Sequence, residues 1–144
     1  MLKGIDPLLG PDLLAHLRAM GHGDELVVAD ANFPAASTAR RLVRADGVSA
    51  SQMLTAILTV LPLDDFVPSA VSVMQVVGST DTVAPITEEF RDIVCKQSGQ
   101  QFSHFAGLER FAFYDRARQA YAVVATGERR LYGNVILRKG IVRV

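Results

Sequence analysis

One cysteine, Cys95, is all the thiol chemistry available in 144 residues. A disulfide within the chain is therefore impossible, and no zinc site built on several thiolates can form. Charge of a dominant sign is also missing. Lys plus Arg number 15 and Asp plus Glu number 15, a formal net charge of zero. No basic field exists to hold a phosphate backbone, so a nucleic-acid partner is not expected. A near-neutral chain meets little self-repulsion on association, which permits a homo-oligomer. Long apolar runs are absent too: the longest, around Ala56 to Leu61, falls far short of the ~20 residues of a membrane span. Met1 to Gly10 is too short and too mixed to read as a signal peptide. These features lead us to expect a soluble cytoplasmic protein with no membrane partner. The chain also lacks a GxSxG elbow, a GxGxxG turn and a GxxxxGK[ST] loop. The histidines His16, His22 and His104 show no metal-ligand spacing, so neither a metal nor a cofactor is expected.

What is present reads as alternating helices and strands. Leu13, Leu14, Leu17 and Met20 recur at helical spacing behind Gly10-Pro11-Asp12, predicting a helix over 11–20. Leu26 to Ala29 suits a buried strand ending at Asp30, with a loop over 32–36 and a short strand at 41–44. Ser49 is a helix N-cap, and that helix runs to about Val60 before Pro62 stops it. Ala70 to Val77 is Val-rich and reads as a strand. Pro85 opens a third helix with Glu88 and Glu89 early and Lys96 late, the order the helix dipole favours. A fourth helix is expected over 108–119, and closing strands over 121–125 and 135–137. This alternation predicts one α/β domain covering 1–144, with helices packed on a mainly parallel sheet.

Two clusters carry candidate chemistry. Asp30 follows an apolar strand, where ligands of open α/β sheets usually bind, and shares its loop with Asn32. His22 sits in a glycine-flanked turn and is the side chain best able to exchange protons near neutral pH. A turn-capping Asp30 and an exposed turn histidine remain equally good readings of these residues alone. The second cluster is Thr126-Gly127-Glu128-Arg129-Arg130-Leu131-Tyr132-Gly133-Asn134. It gathers a phenol, an amide and flexible glycines, groups that suit the donating and accepting hydroxyls of a sugar; the glycines also suit a plain turn. Arg110, Tyr114 and Arg118 share one helical face by their four-residue spacing, with Asp115 and Glu109 as local ion partners. His16 and Cys95 read as structural residues within helices.

Taken in order, "MGHGDELVVADANFPA" at Met20–Ala35, "RADG" at Arg44–Gly47, "RFAFYDRA" at Arg110–Ala117 and "TGERRLYGNVILRKG" at Thr126–Gly140 resemble the RbsD/FucU sugar mutarotases, in their L-fucose branch. The resemblance runs nearly the whole length. The sister branch, the D-ribose pyranases, typically shows GHTD, DAGLP and YAN, whereas this chain has Gly-His-Gly-Asp, Asp-Ala-Asn-Phe-Pro and Tyr-Gly-Asn. The resemblance implies an RbsD-like three-layer α/β/α fold with a mainly parallel, mixed sheet, and interconversion of the anomers of free L-fucose. It implies no metal and no cofactor. It also implies a ring-shaped homo-oligomer, a decamer in bacterial relatives, with sites near subunit contacts. By the same resemblance His22 is the proton donor, and Asp30, Arg110, Tyr132, Gly133 and Asn134 hold the sugar. Anomer exchange needs both an acid and a base, so Tyr132 is also a candidate proton relay and Asp30 a candidate to orient His22. Asn32, where some fucose enzymes carry histidine, and Arg130-Leu131 depart from the pattern near that site. A ribose-type mutarotase and a non-catalytic monosaccharide-binding protein are the alternative expectations.

Overall fold

A computed structural model describes residues 1–144. Six strands form one sheet: β1 (Glu25–Ala29), β2 (Leu42–Ala45), β3 (Val71–Met74), β4 (Phe105–Leu108), β5 (Ala122–Thr126) and β6 (Val135–Arg138). Their spatial order is β2-β5-β1-β6-β3-β4. Five run parallel; β6 lies between β1 and β3 and is antiparallel to both. The parallel strands therefore all end at one edge of the sheet, and β6 begins there.

Alternate residues of the central strands feed two cores, as a period of two requires. Leu26 and Val28 of β1 face one side with α1 (Pro11–Ala19), α3 (Ala50–Leu58) and α4 (Pro85–Ser98). Val27 and Ala29 face the other with α5 (Arg110–Gln119) and the short α2 (Ala35–Thr38). This is the expected α/β/α layering. Both faces of the central strands are covered, which is why β1, β5 and β6 read as continuous apolar runs.

Local chemistry sets the helix starts. Ser49 accepts the Gln52 N–H, and the Gln52 side chain accepts the Ser49 N–H in return, a capping box at the head of α3. Glu109 accepts the N–H groups of Phe111 and Ala112 and fixes the start of α5.

Four local expectations are corrected. Residues 35 and 36, expected as loop, open the short helix α2 behind Pro34. The segment before α5 is strand β4, a half-buried edge strand, so the fourth helix begins at Arg110 and not at Leu108. β3 stops at Met74, because beyond Gln75 the backbone leaves the sheet. α3 ends at Leu58, two residues short of Val60. No helix is long and apolar enough to cross a membrane.

Candidate sugar site

The loops at the carboxyl ends of the parallel strands gather Asp30, Arg110, Tyr132 and Asn134. Asp30 leaves β1 and Asn134 enters β6, so the antiparallel pairing of those strands sets them side by side. Their contact is reciprocal: the Asp30 N–H donates to Asn134 Oδ1 at 2.8 Å, and Asn134 Nδ2 donates to Asp30 Oδ2 at 2.9 Å. The Asn32 N–H donates to Asp30 Oδ1 at 3.0 Å. Each carboxylate oxygen thus has one partner in the chain and retains a lone pair to accept a ligand hydroxyl. Asp30 is only 6% exposed. Burial pushes its carboxyl above the usual aspartate value, and the bonds from Asn32 and Asn134 offset part of that rise.

The segment from Thr126 to Asn134 is held from beneath. Thr126 Oγ1 donates to the Ala29 carbonyl at 2.7 Å, tying the ends of β5 and β1 together. The buried Glu128 carboxylate accepts the N–H groups of Arg129 and Arg130 at 3.0 Å each and the Arg130 guanidinium at 2.9 and 3.0 Å. The Arg130 contact, aided by these backbone bonds, pulls the Glu128 carboxyl down to about 2. Arg130 also bonds Glu89 of α4 at 2.5 Å. Tyr132 adopts a left-handed backbone with φ of 62°, a strain that costs about 1–3 kcal/mol outside glycine and clusters at functional sites. This turn aims its phenol across the sheet edge, where the oxygen accepts the Val77 N–H at 3.0 Å. Gly133 is required by close approach: a Cβ there would lie 2.7 Å from Glu128 Cγ and 3.3 Å from Asp30 Cβ.

Beside these groups lies an open depression of about 200 Å³. Asp30, Asn32, Arg110 and Asn134 supply its polar side; Phe33, Met74, Val77 and Leu131 supply its apolar side. Arg110 stands at the rim, its Nε donating to the Tyr114 hydroxyl at 3.2 Å. A surface with one polar and one apolar wall suits a small polyol that carries a methyl group.

His22 is not in this depression. Its turn precedes β1, at the opposite edge of the sheet. The five residues of β1 separate that turn from Asp30 by roughly 16 Å at about 3.3 Å per residue. The expectation that Asp30 orients His22 is therefore corrected within one chain. The imidazole Nε2 instead meets Asp64 Oδ1 at 3.1 Å, and the ring packs against Phe66 at 5.4 Å between centroids. Asp64 was not singled out from the sequence: Pro62-Leu63-Asp64-Asp65-Phe66 carries no motif. Glu128 was seen only as part of its loop. For both, burial of a carboxylate is the telling sign, and it is visible only in three dimensions.

A three-layer α/β protein with a buried Asp–Asn pair, a phenol and a guanidinium at the carboxyl edge of its sheet belongs to the class that binds small polar ligands there. Comparison with known proteins narrows this class. Residues 3–142 match the RbsD / FucU transport protein family, and the chain belongs to that family. It is 48% identical over 147 residues to the fucose mutarotase of Bos taurus, covering 98% of this chain and 94% of the relative. It is 45% identical over 144 residues to the L-fucose mutarotase of Histophilus somni, covering 100% and 99%. The structure of the fucose mutarotase in complex with L-fucose from Streptococcus pneumoniae superposes with a TM-score of 0.91 at 46% identity, covering 99% of this chain and 100% of that one.

Proposed function

We propose that this chain is an L-fucose mutarotase, an isomerase that interconverts the α and β anomers of the free sugar. The observation that carries the reading is the Asp30–Asn134 pair, with acceptor lone pairs open beside the Tyr132 phenol and the Arg110 guanidinium. Full-length identity to L-fucose mutarotases supports the choice of sugar.

The reaction breaks the bond between the anomeric carbon and the ring oxygen. The electron pair goes to the ring oxygen, which gains a proton, while the anomeric hydroxyl loses one and becomes the aldehyde carbonyl. Rotation about the adjacent carbon–carbon bond turns the other aldehyde face inward, and reclosure returns both protons. An acid and a base within hydrogen-bond reach of two oxygens suffice, with a contribution of about 10²–10⁴-fold. Asp30, Arg110 and Asn134 hold the spectator hydroxyls, and Gly133 lets the loop approach them. Tyr132 relays a proton, and His22 serves as donor.

Because His22 and Asp30 lie at opposite sheet edges, we assign the donor of each site to a second copy of the chain. Exposed Phe66, Ile141 and Val142 accompany the His22 edge, and exposed Val77 and Leu131 rim the Asp30 depression. Packing one edge on the other is a head-to-tail contact between different surfaces, the kind that closes into rings. This fits the ring-shaped homo-oligomer expected above, and the whole chain acts as one domain within it. The lone Cys95 is compatible with a cytoplasmic setting.

Saturation-transfer NMR on free sugars tests the activity: exchange of L-fucose accelerates more than that of D-ribose, and equal acceleration of ribose refutes the assignment. Mixing tests the shared site. His22→Ala and Asp30→Asn proteins are each inactive alone. Co-refolded in equal amounts, they regain about a quarter of wild-type activity, since random head-to-tail neighbours pair an intact His22 with an intact Asp30 at that frequency. No recovery in assembled mixtures refutes a site shared between copies.

A further inference from the structure

Beneath the half-exposed His22 imidazole, the Asp64 side chain is 1% exposed. Its Oδ1 meets His22 Nε2 at 3.1 Å and also accepts the Phe66 N–H at 3.0 Å. Its Oδ2 accepts Arg138 Nε at 2.9 Å. The other charged groups nearby are engaged elsewhere. Asp65 pairs with Arg143 at 2.8 Å, Asp24 accepts the Gly21 N–H at 2.7 Å, and Lys139 Nζ donates to the carbonyls of Leu17 and Met20. Asp64 is therefore the carboxylate that faces His22.

Burial pushes the Asp64 carboxyl up, but the bonds from Phe66, His22 and Arg138 together outweigh it and hold the group below its ordinary value. An ionised carboxylate only accepts, so Nε2 must carry the hydrogen in this contact. The neutral ring then has its lone pair on Nδ1, to which the chain gives no partner. Phe66 lies beside the ring, tilted at 52° to it with centroids 5.4 Å apart. The backbone that carries the carboxylate is itself tied to the end of β6: the Asp64 N–H donates to the Arg138 carbonyl at 3.1 Å, and the Gly140 N–H donates to the Pro62 carbonyl at 2.8 Å.

We propose that Asp64 is the positioning residue of the proton donor: it holds His22 by Nε2–H and so presents Nδ1 as the nitrogen that exchanges protons with the sugar. The inference rests on the reading of His22 as the acid–base group. Asp64 never touches the sugar. It selects the tautomer and fixes the ring, and Arg138 keeps the carboxylate charged and in place while His22 cycles between its protonated and neutral forms.

The test combines NMR of the ¹⁵N-labelled imidazoles in the assembled wild-type protein with exchange kinetics. In the wild type, neutral His22 shows the Nε2–H tautomer with bare Nδ1; an Nδ1–H tautomer overturns the proposal without any variant. In Asp64→Asn, His22 shows mixed tautomers, and kcat for L-fucose exchange falls on the order of tenfold or more while KM stays within about twofold, as for an interaction made at the acid–base step. Unchanged kcat with an unchanged tautomer overturns it, as does a loss confined to KM. His22→Ala separates the two readings. A fully active His22→Ala protein removes the donor assignment itself, whereas an inactive one beside an unaffected Asp64→Asn removes only the role of Asp64.

Discussion

Glu128→Gln asks whether the loop bearing Tyr132 and Asn134 is held by a charge or by shape alone. Gln has nearly the volume of Glu and retains an oxygen able to accept the N–H groups of Arg129 and Arg130. Its NH₂ group, however, replaces the oxygen that accepts Arg130 Nη2 at 3.0 Å, leaving two donors facing each other. The magnitude follows from the carboxyl, which moves from 4.5 to about 2 on folding. That difference, 4.5 − 2, corresponds to about 3 kcal/mol at about 1.36 kcal/mol per unit. The Glu128 side chain is 5% exposed but that of Arg130 is 49% exposed, so solvent screens the cation and about 2 kcal/mol is expected at neutral pH. The sign is that of a depressed carboxyl: the stabilisation is complete above the unfolded value and is lost as pH falls towards the folded one. Urea unfolding at fixed protomer concentration measures it, since assembly itself adds stability. The midpoint should fall by about 1 M for a slope near 2 kcal/mol/M, and the gap between the two proteins should close as the pH approaches about 2. A variant within about 0.5 kcal/mol of wild type at neutral pH, or a gap that ignores pH, would refute the charge-held loop.

Asn134→Ala removes both halves of a reciprocal buried contact and leaves the Asp30 N–H without a partner. It should cost about 1–3 kcal/mol of stability and weaken L-fucose binding in calorimetry, whereas unchanged affinity would show that Asp30 holds its geometry unaided. The raised Asp30 carboxyl gives a second pH effect of opposite sign for the fold. Its ionised form is disfavoured by burial, so its contribution to stability declines as pH rises from the ordinary aspartate value through the raised one. L-fucose affinity should run the other way, dropping on acidification at a pH above that of an ordinary aspartate. Calorimetric titration across acidic pH checks this, and an affinity flat until the ordinary value would contradict the shift.

Much of this molecule is legible in its residues, within limits that have physical causes. Leu26–Ala29 and the Ser49 cap are readable because burial on two faces and an orphaned helix terminus each leave a local mark. Phe105–Leu108 escapes because an edge strand of Phe-Ala-Gly-Leu is half-buried and weakly patterned. The direction of β6 is invisible, since a strand's apolar period is the same either way round. That direction matters most for the site. It brings Asn134 to Asp30 as the sequence motifs suggest, and it puts Arg138 at the far edge with His22. The separation of His22 from the other sugar-site residues thus depends on sheet topology, and the partnership with Asp64 depends on a loop, Pro62–Phe66, that carries no signature of its own.

If the site is shared between copies as proposed, the four-residue strand β6 begins beside one half of a site and ends beside the complementary half of another. This has an arithmetic consequence. A chain of n copies joined head to tail but left open contains n − 1 complete sites, with one donor edge and one acceptor edge idle at its ends. Closure supplies the missing site without adding a protomer. Specific activity therefore counts completed junctions: none for an isolated copy, half its ceiling for an open pair, and the full value once the ring shuts. Dilution below the closing concentration should lower turnover per chain in that proportion, while every fold remains intact.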